Sequence, residues 1–220
     1  MRFISKFTFC LLFFFAVIIV NGQSKVIRLN FEGKTIPVRI IAPEGYTSNK
    51  AYPVLIAPGL DNGNLNIGCR YFGSNPEKYG WILVESSIHM ENRKAVGLLL
   101  SHLESNYRTD KVFILGFSAN SVDAFNIASI YNGRIDGIIG MPGNPEAKSI
   151  KKHEDQQILM IVGERDTYWK KRAEKAKVIL DEGGYQNELV VIPNGGHILD
   201  ELTGKPLFNI LNRALVSKNK

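Results

Sequence analysis

The chain has 220 residues, of which 45% are hydrophobic and 22% charged, the profile of a globular protein with one sizeable core. A formal net charge of +6 comes without any basic block interleaved with aromatics, which argues against nucleic acid as a partner. Cys10 falls in the N-terminal apolar run and only Cys69 remains beyond it, so no intrachain disulfide is expected and the core must carry stability alone.

In chain order, the first element is a leader. Arg2 and Lys6 precede an apolar run, Phe7 to Val20, and the small or polar residues Asn21-Gly22-Gln23-Ser24 follow. A charged start, an apolar middle and a small residue at the cut make a secretory signal peptide, residues 1–22. The run is shorter than the ~20 residues a spanning helix needs, so cleavage is expected to leave no stable membrane anchor. Cys10 stands at the start of the run, badly placed for lipidation. The protein is expected to be exported, either periplasmic or secreted. Losing Arg2 and Lys6 lowers the charge from +6 to +4.

Residues 23–220 read as one domain. V-I-R-L-N-F-E-G-K-T-I-P-V-R-I-I-A-P gives two strands turning at Glu32-Gly33-Lys34. Y-P-V-L-I-A-P-G is a short buried strand. The Asn- and Gly-rich stretch 61–76 is a long loop with room for a helical turn. W-I-L-V-E-S-S is a strand, and N-R-K-A-V-G-L-L-L-S-H-L-E-S-N-Y has helical spacing. V-F-I-L-G-F is a strand, with a helix over 119–131. D-G-I-I-G-M-P-G is a strand ending in a Pro-Gly loop. I-L-M-I-V-G-E-R-D is another, followed by a helix over 169–182 that Gly183-Gly184 stops. E-L-V-V-I-P is the last strand, and 206–215 the last helix. An antiparallel start followed by strand–helix units predicts an α/β architecture: a mostly parallel central sheet with helices on both faces. Ligands of such sheets bind at the carboxyl ends of the strands.

Three of those ends carry candidate chemistry. Ser118 follows V-F-I-L-G-F, Asp166 follows I-L-M-I-V-G-E-R, and His197 follows V-V-I-P-N-G-G. A serine hydroxyl needs a base to take its proton, and the base needs a group that fixes its tautomer. The bland readings stand beside these roles. Ser118 would serve as a helix N-cap and Asp166 as a cap for the helix at Trp169, but a histidine after two loop glycines is hard to place as core packing. Ser121 falls inside a helix and reads as structural. Glu164 is the runner-up acid. His102, His153 and His89 lack a second metal-type ligand at useful spacing, so no metal is expected. Cys69 reads as a small packed hydrophobe. Tyr71, Phe72, Tyr168 and Trp169 either wall a cleft or pack.

The turn G-F-S-A-N, the order Ser-Asp-His, the ending Gly163-Glu164-Arg165-Asp166 and the run Gly195-Gly196-His197 together resemble the α/β-hydrolase superfamily. Within it, the chain is similar to the small carboxylesterase and dienelactone-hydrolase-like serine hydrolases. The resemblance covers residues 25 to 216 and implies the α/β-hydrolase fold, a catalytic set of Ser118, Asp166 and His197, and no cofactor. It also implies an oxyanion hole from the backbone N–H groups of Ala119 and Leu60. The implied activity is a secreted carboxylesterase working on a small-molecule or carbohydrate ester through an acyl-enzyme on Ser118. Two departures from the family's pattern are Asn120, where glycine is usual, and Pro58, where many members have histidine. They leave a non-catalytic binding module as the alternative. The same three residues also suit a peptidase, a thioesterase or an acyltransferase.

Overall fold

The structure, a computed structural model, describes residues 24–57, 70–86 and 92–216. The expected leader, Leu60, Pro58, Cys69 and His89 lie outside the described residues. Among these residues no helix is long and apolar enough to cross a membrane.

The chain opens with a hairpin. β1 (Ser24–Phe31) and β2 (Lys34–Ile41) pair antiparallel from Ser24↔Ile41 to Phe31↔Lys34. Glu32 (φ 49°) and Gly33 (φ 78°) make the two-residue turn. Two consecutive positive φ angles match the right-handed twist of the flanking strands. The other strands are β3 (Tyr52–Ala57), β4 (Ile82–Ser86), β5 (Thr109–Gly116), β6 (Gly137–Gly140), β7 (Gln157–Gly163) and β8 (Asn187–Ile192). They join the hairpin in one eight-stranded sheet, ordered β1-β2-β4-β3-β5-β6-β7-β8. β2 pairs antiparallel to β4, and every pairing from β4 to β8 is parallel. The sheet is thus mostly parallel with an antiparallel start, as the sequence predicts.

Alternation along each strand divides the core into two layers. In β3, Tyr52, Val54 and Ile56 face one cluster while Leu55 and Ala57 face the other. In β7, Ile158, Met160 and Val162 oppose Leu159 and Ile161 in the same way. A period of two on a fully buried strand requires apolar residues at every position, which is why these runs are continuously hydrophobic.

The helices supply the covers. α1 (Val96–Asn106), α2 (Asn120–Ile130) and α3 (Thr167–Glu182) pack on the first layer, and α4 (Lys205–Val216) on the second. α4 presents Leu207, Phe208, Ile210, Leu211 and Ala214 to the sheet, a stripe at helical spacing. Tyr71 and Phe72, in a 3-10 turn, are also buried there, each 1% exposed. They are core residues and not cleft walls. The Trp81 indole donates to Asn212 Oδ1 at 2.8 Å and ties the start of β4 to α4. His153, placed by the sequence in a charged stretch, is fully buried. Its Nδ1 meets Gln156 Oε1 at 2.7 Å, and its ring lies edge-on to Phe125.

Candidate active site

β5, β7 and β8 run parallel, so their carboxyl ends share one rim. Ser118 comes two residues after the end of β5, Asp166 three after β7 and His197 five after β8. β6 separates β5 from β7, which puts roughly 10 Å, two strand spacings, between the serine and aspartate strands. An imidazole is a ring of the right size to bridge that gap, provided its loop folds back over the sheet.

Ser118 sits on a strained turn. Its φ is 53°, a left-handed conformation that costs a non-glycine residue energy and marks a position held by its surroundings. One holding contact comes from the loop after β6 and two from within the turn. The Ser118 N–H donates to Pro142 O at 3.0 Å, the Ser121 N–H to Ser118 O at 3.0 Å, and the Ser121 hydroxyl to the same carbonyl at 2.7 Å. Gly116 is the position that needs glycine, because a Cβ there would lie 2.4 Å from Ser121 Cα and 2.7 Å from Asn120 O. Asn120 does not carry the strain. It is the first residue of α2, with its N–H on Phe117 O at 2.9 Å. The close approach of backbone in the turn falls at its first position, Gly116. Ser121 is structural, buried beneath the turn.

The His197 loop crosses directly over the end of β7. A Cβ on Gly163 would come within 2.1 Å of Gly196 O, so only glycine allows this approach. Two backbone bonds join the loops: Glu164 N–H to Ile192 O at 3.0 Å and Arg165 N–H to Gly195 O at 2.9 Å. His197 Nδ1 then lies 2.6 Å from Asp166 Oδ2, and its Nε2 lies 2.9 Å from Ser118 Oγ. A carboxylate only accepts, so Nδ1 carries the proton and Nε2 presents its lone pair to the serine hydroxyl. The second aspartate oxygen, Oδ1, accepts the Trp169 N–H at 3.2 Å as the N-cap of α3. The capping role and the histidine contact therefore use different oxygens of one side chain. The Asp166 side chain is 8% exposed and that of His197 is 45% exposed, a sheltered acid and an open base. Phe117 packs edge-on against the imidazole at 5.6 Å, backed by Tyr71 at 6.2 Å.

Ala119 is exposed, and its N–H makes no hydrogen bond to any described residue. Ala57 pairs with Glu85 of β4 at the carboxyl end of β3, on the same rim. Glu164, the runner-up acid, does not reach the imidazole. Its Oε2 accepts the Asn194 N–H at 2.9 Å. His102 is on the surface of α1, against Asn106. Tyr168 is 63% exposed and lies in the first turn of α3, where Arg172 stacks over both its ring and that of Trp169. The Pro142 carbonyl that holds the serine turn had no signal in the sequence beyond a Pro-Gly loop.

No family model matches the chain, and no curated protein matches it either. Solved structures do. The dienelactone hydrolase from Anabaena variabilis superposes with a TM-score of 0.65 at 15% identity, over 91% of this chain and 100% of that one. The feruloyl esterase module from Clostridium thermocellum, solved with sinapinate, gives 0.64 at 13% identity, over 86% and 88%. A ferulic acid esterase from the anaerobic fungus Anaeromyces mucronatus gives 0.61 at 14% identity, over 87% and 90%. With similarity of that degree running over most of each chain, this chain has the α/β-hydrolase fold.

Proposed function

We propose that the chain is a serine hydrolase that cleaves carboxylic esters. The observation that carries this reading is the continuous link Ser118 Oγ–His197 Nε2 at 2.9 Å and His197 Nδ1–Asp166 Oδ2 at 2.6 Å. In the reaction Ser118 Oγ attacks the acyl carbon as its proton passes to His197 Nε2. Asp166 holds the ring and stabilises the imidazolium. The oxyanion accepts hydrogen bonds from the Ala119 N–H and, in this proposal, from the N–H of Leu60. Two fixed donors of this kind are worth several kcal/mol in the transition state, by about 3 kcal/mol each. The imidazolium returns the proton to the alkoxide as the C–O bond breaks. Water, deprotonated by the same ring, then attacks the acyl-enzyme, and the acid leaves as Ser118 regains its proton.

Esters are favoured over other acyl bonds by the neighbours, which include feruloyl and ferulic acid esterases. The substrate is proposed to be a small-molecule or carbohydrate ester, met outside the cytoplasm by a protein exported through the leader at 1–22. No metal, cofactor or nucleic acid enters the mechanism.

The test is turnover of short p-nitrophenyl esters by residues 23–220, together with labelling by a fluorophosphonate probe located by mass spectrometry. Label on Ser118, with both signals lost in Ser118→Ala, is the expected result. The substitution should lower kcat by at least about a thousandfold. Absence of turnover and of label in the folded wild-type chain would reject the proposal.

A further inference from the structure

We propose that Glu164 is a positioning residue that sets the His197 loop against Asp166. The kinetic arm of its test rests on the esterase reading; the structural arm does not.

The loop needs an external hold. Between Ile192 and Leu199 the side chains of Pro193, Asn194, His197 and Ile198 are exposed, and the two glycines have none to pack. Its next apolar anchor is Leu199, whose N–H reaches the Tyr71 hydroxyl at 3.3 Å. Hydrogen bonds from the end of β7 must therefore place the stretch that carries the imidazole. Two of these bonds are backbone to backbone. The third is made by a side chain, with the Asn194 N–H donating to Glu164 Oε2 at 2.9 Å.

That third bond falls at the bend. Asn194 has φ 54°, a left-handed angle that asparagine tolerates better than most residues. Here the chain reverses toward Gly195 and His197. A charged acceptor makes a stronger bond to a peptide N–H than a neutral one. Glu164 stands two residues before Asp166 and grips the loop three residues before His197. The two carboxylates at this strand end therefore divide the work. Asp166 takes the imidazole Nδ1–H, and Glu164 fixes the backbone that delivers the imidazole.

The experiment compares Glu164→Ala and Glu164→Gln with the wild-type chain. The first removes the acceptor. The second keeps an amide oxygen that can still take the Asn194 N–H. In histidine-labelled protein, the downfield Nδ1–H resonance that His197 shares with Asp166 should broaden or vanish in Glu164→Ala and persist in Glu164→Gln. Where ester turnover is present, kcat should fall about tenfold in Glu164→Ala with KM nearly unchanged, and Glu164→Gln should stay within about twofold of wild type. The wild-type resonance retained in Glu164→Ala, or an equal loss in both variants, would overturn the proposal. A wild-type chain without esterase activity that shows the resonance pattern above rejects the esterase reading and leaves the positioning role standing.

Discussion

Asp166 does two jobs at once, and that overlap governs how its substitution should behave. Asp166 caps α3 through Oδ1 and holds His197 through Oδ2. Asp166→Asn keeps the capping oxygen but offers the imidazole an amide, which can favour the wrong tautomer. It should therefore lower kcat by roughly three to four orders of magnitude while the urea midpoint moves little, and parallel kinetics and denaturation would check this. His153 is a contrasting residue, ionisable but outside the site. Burial pushes its imidazole below the ordinary value of 6.5, nearby Lys152 adds to that, and the Gln156 bond opposes it. Its Nε2 has no hydrogen-bond partner among the described residues. In the unfolded chain the ring takes up a proton as pH falls through 6.5, while the folded ring resists it. The unfolded state then binds more protons, so stability is lost as pH falls below that value. Urea unfolding at about pH 7.5 and about pH 5.5 should show this loss in the wild type, with a smaller loss in His153→Asn.

At the scale of elements, the site depends on how closely the strand-end loops pass each other. The β8 loop lies on the end of β7, with Gly163 as the contact. Gly163→Ala would force the two loops apart or push the β8 loop outward. The expected cost is about 1–3 kcal/mol of stability, and activity should fall further than stability alone accounts for, because His197 rides on the displaced loop. Chemical denaturation and ester turnover on the same preparation would check both. The serine turn is built on similar terms, with α2 starting at Asn120 and crowding Gly116. The sequence pattern locates this strand–turn–helix unit, because an apolar run, a glycine and a helical period are all local signals. It also yields the ends of α2, α3 and α4 to within two residues, with α3 beginning at Thr167 and α4 at Lys205 against expected starts of 169 and 206, whereas the helical spacing read from Asn92 opens as a 3-10 turn and α1 begins only at Val96. The Pro142 carbonyl that accepts the Ser118 N–H was not legible, since it arrives from a different strand and depends on neither residue's type.

At the scale of the whole molecule, the described residues form a sheet between unequal covers. Three helices share one face, while α4 and the buried Tyr71, Phe72 and Trp81 close the other. Phe208 lies at the centre of that second layer, stacked on Tyr79 at 4.3 Å and near Trp81 and Phe72. Phe208→Ala should cost about 3–5 kcal/mol, read as a drop in the urea midpoint. This layer also backs the His197 loop through Leu199 and Tyr71. Which face each residue joins follows from the twofold period of the strands, so the layering was legible. Tyr71 and Phe72 were not, because a long Asn- and Gly-rich segment carries no period to say which of its aromatics turn inward. By itself the sequence determined the alternation of strands and helices, the mostly parallel sheet, and the three strand ends that carry a serine, an acid and a histidine. These are properties of local pattern and of the order of residues along the chain. Only the tertiary structure decided that Asp166 and not Glu164 meets the imidazole, and that the strain of the turn rests on Ser118 while Gly116 absorbs its crowding. The first depends on how loops from different strands cross, through a contact between residues 31 positions apart in the chain; the second depends on how closely the start of α2 folds back onto the end of β5.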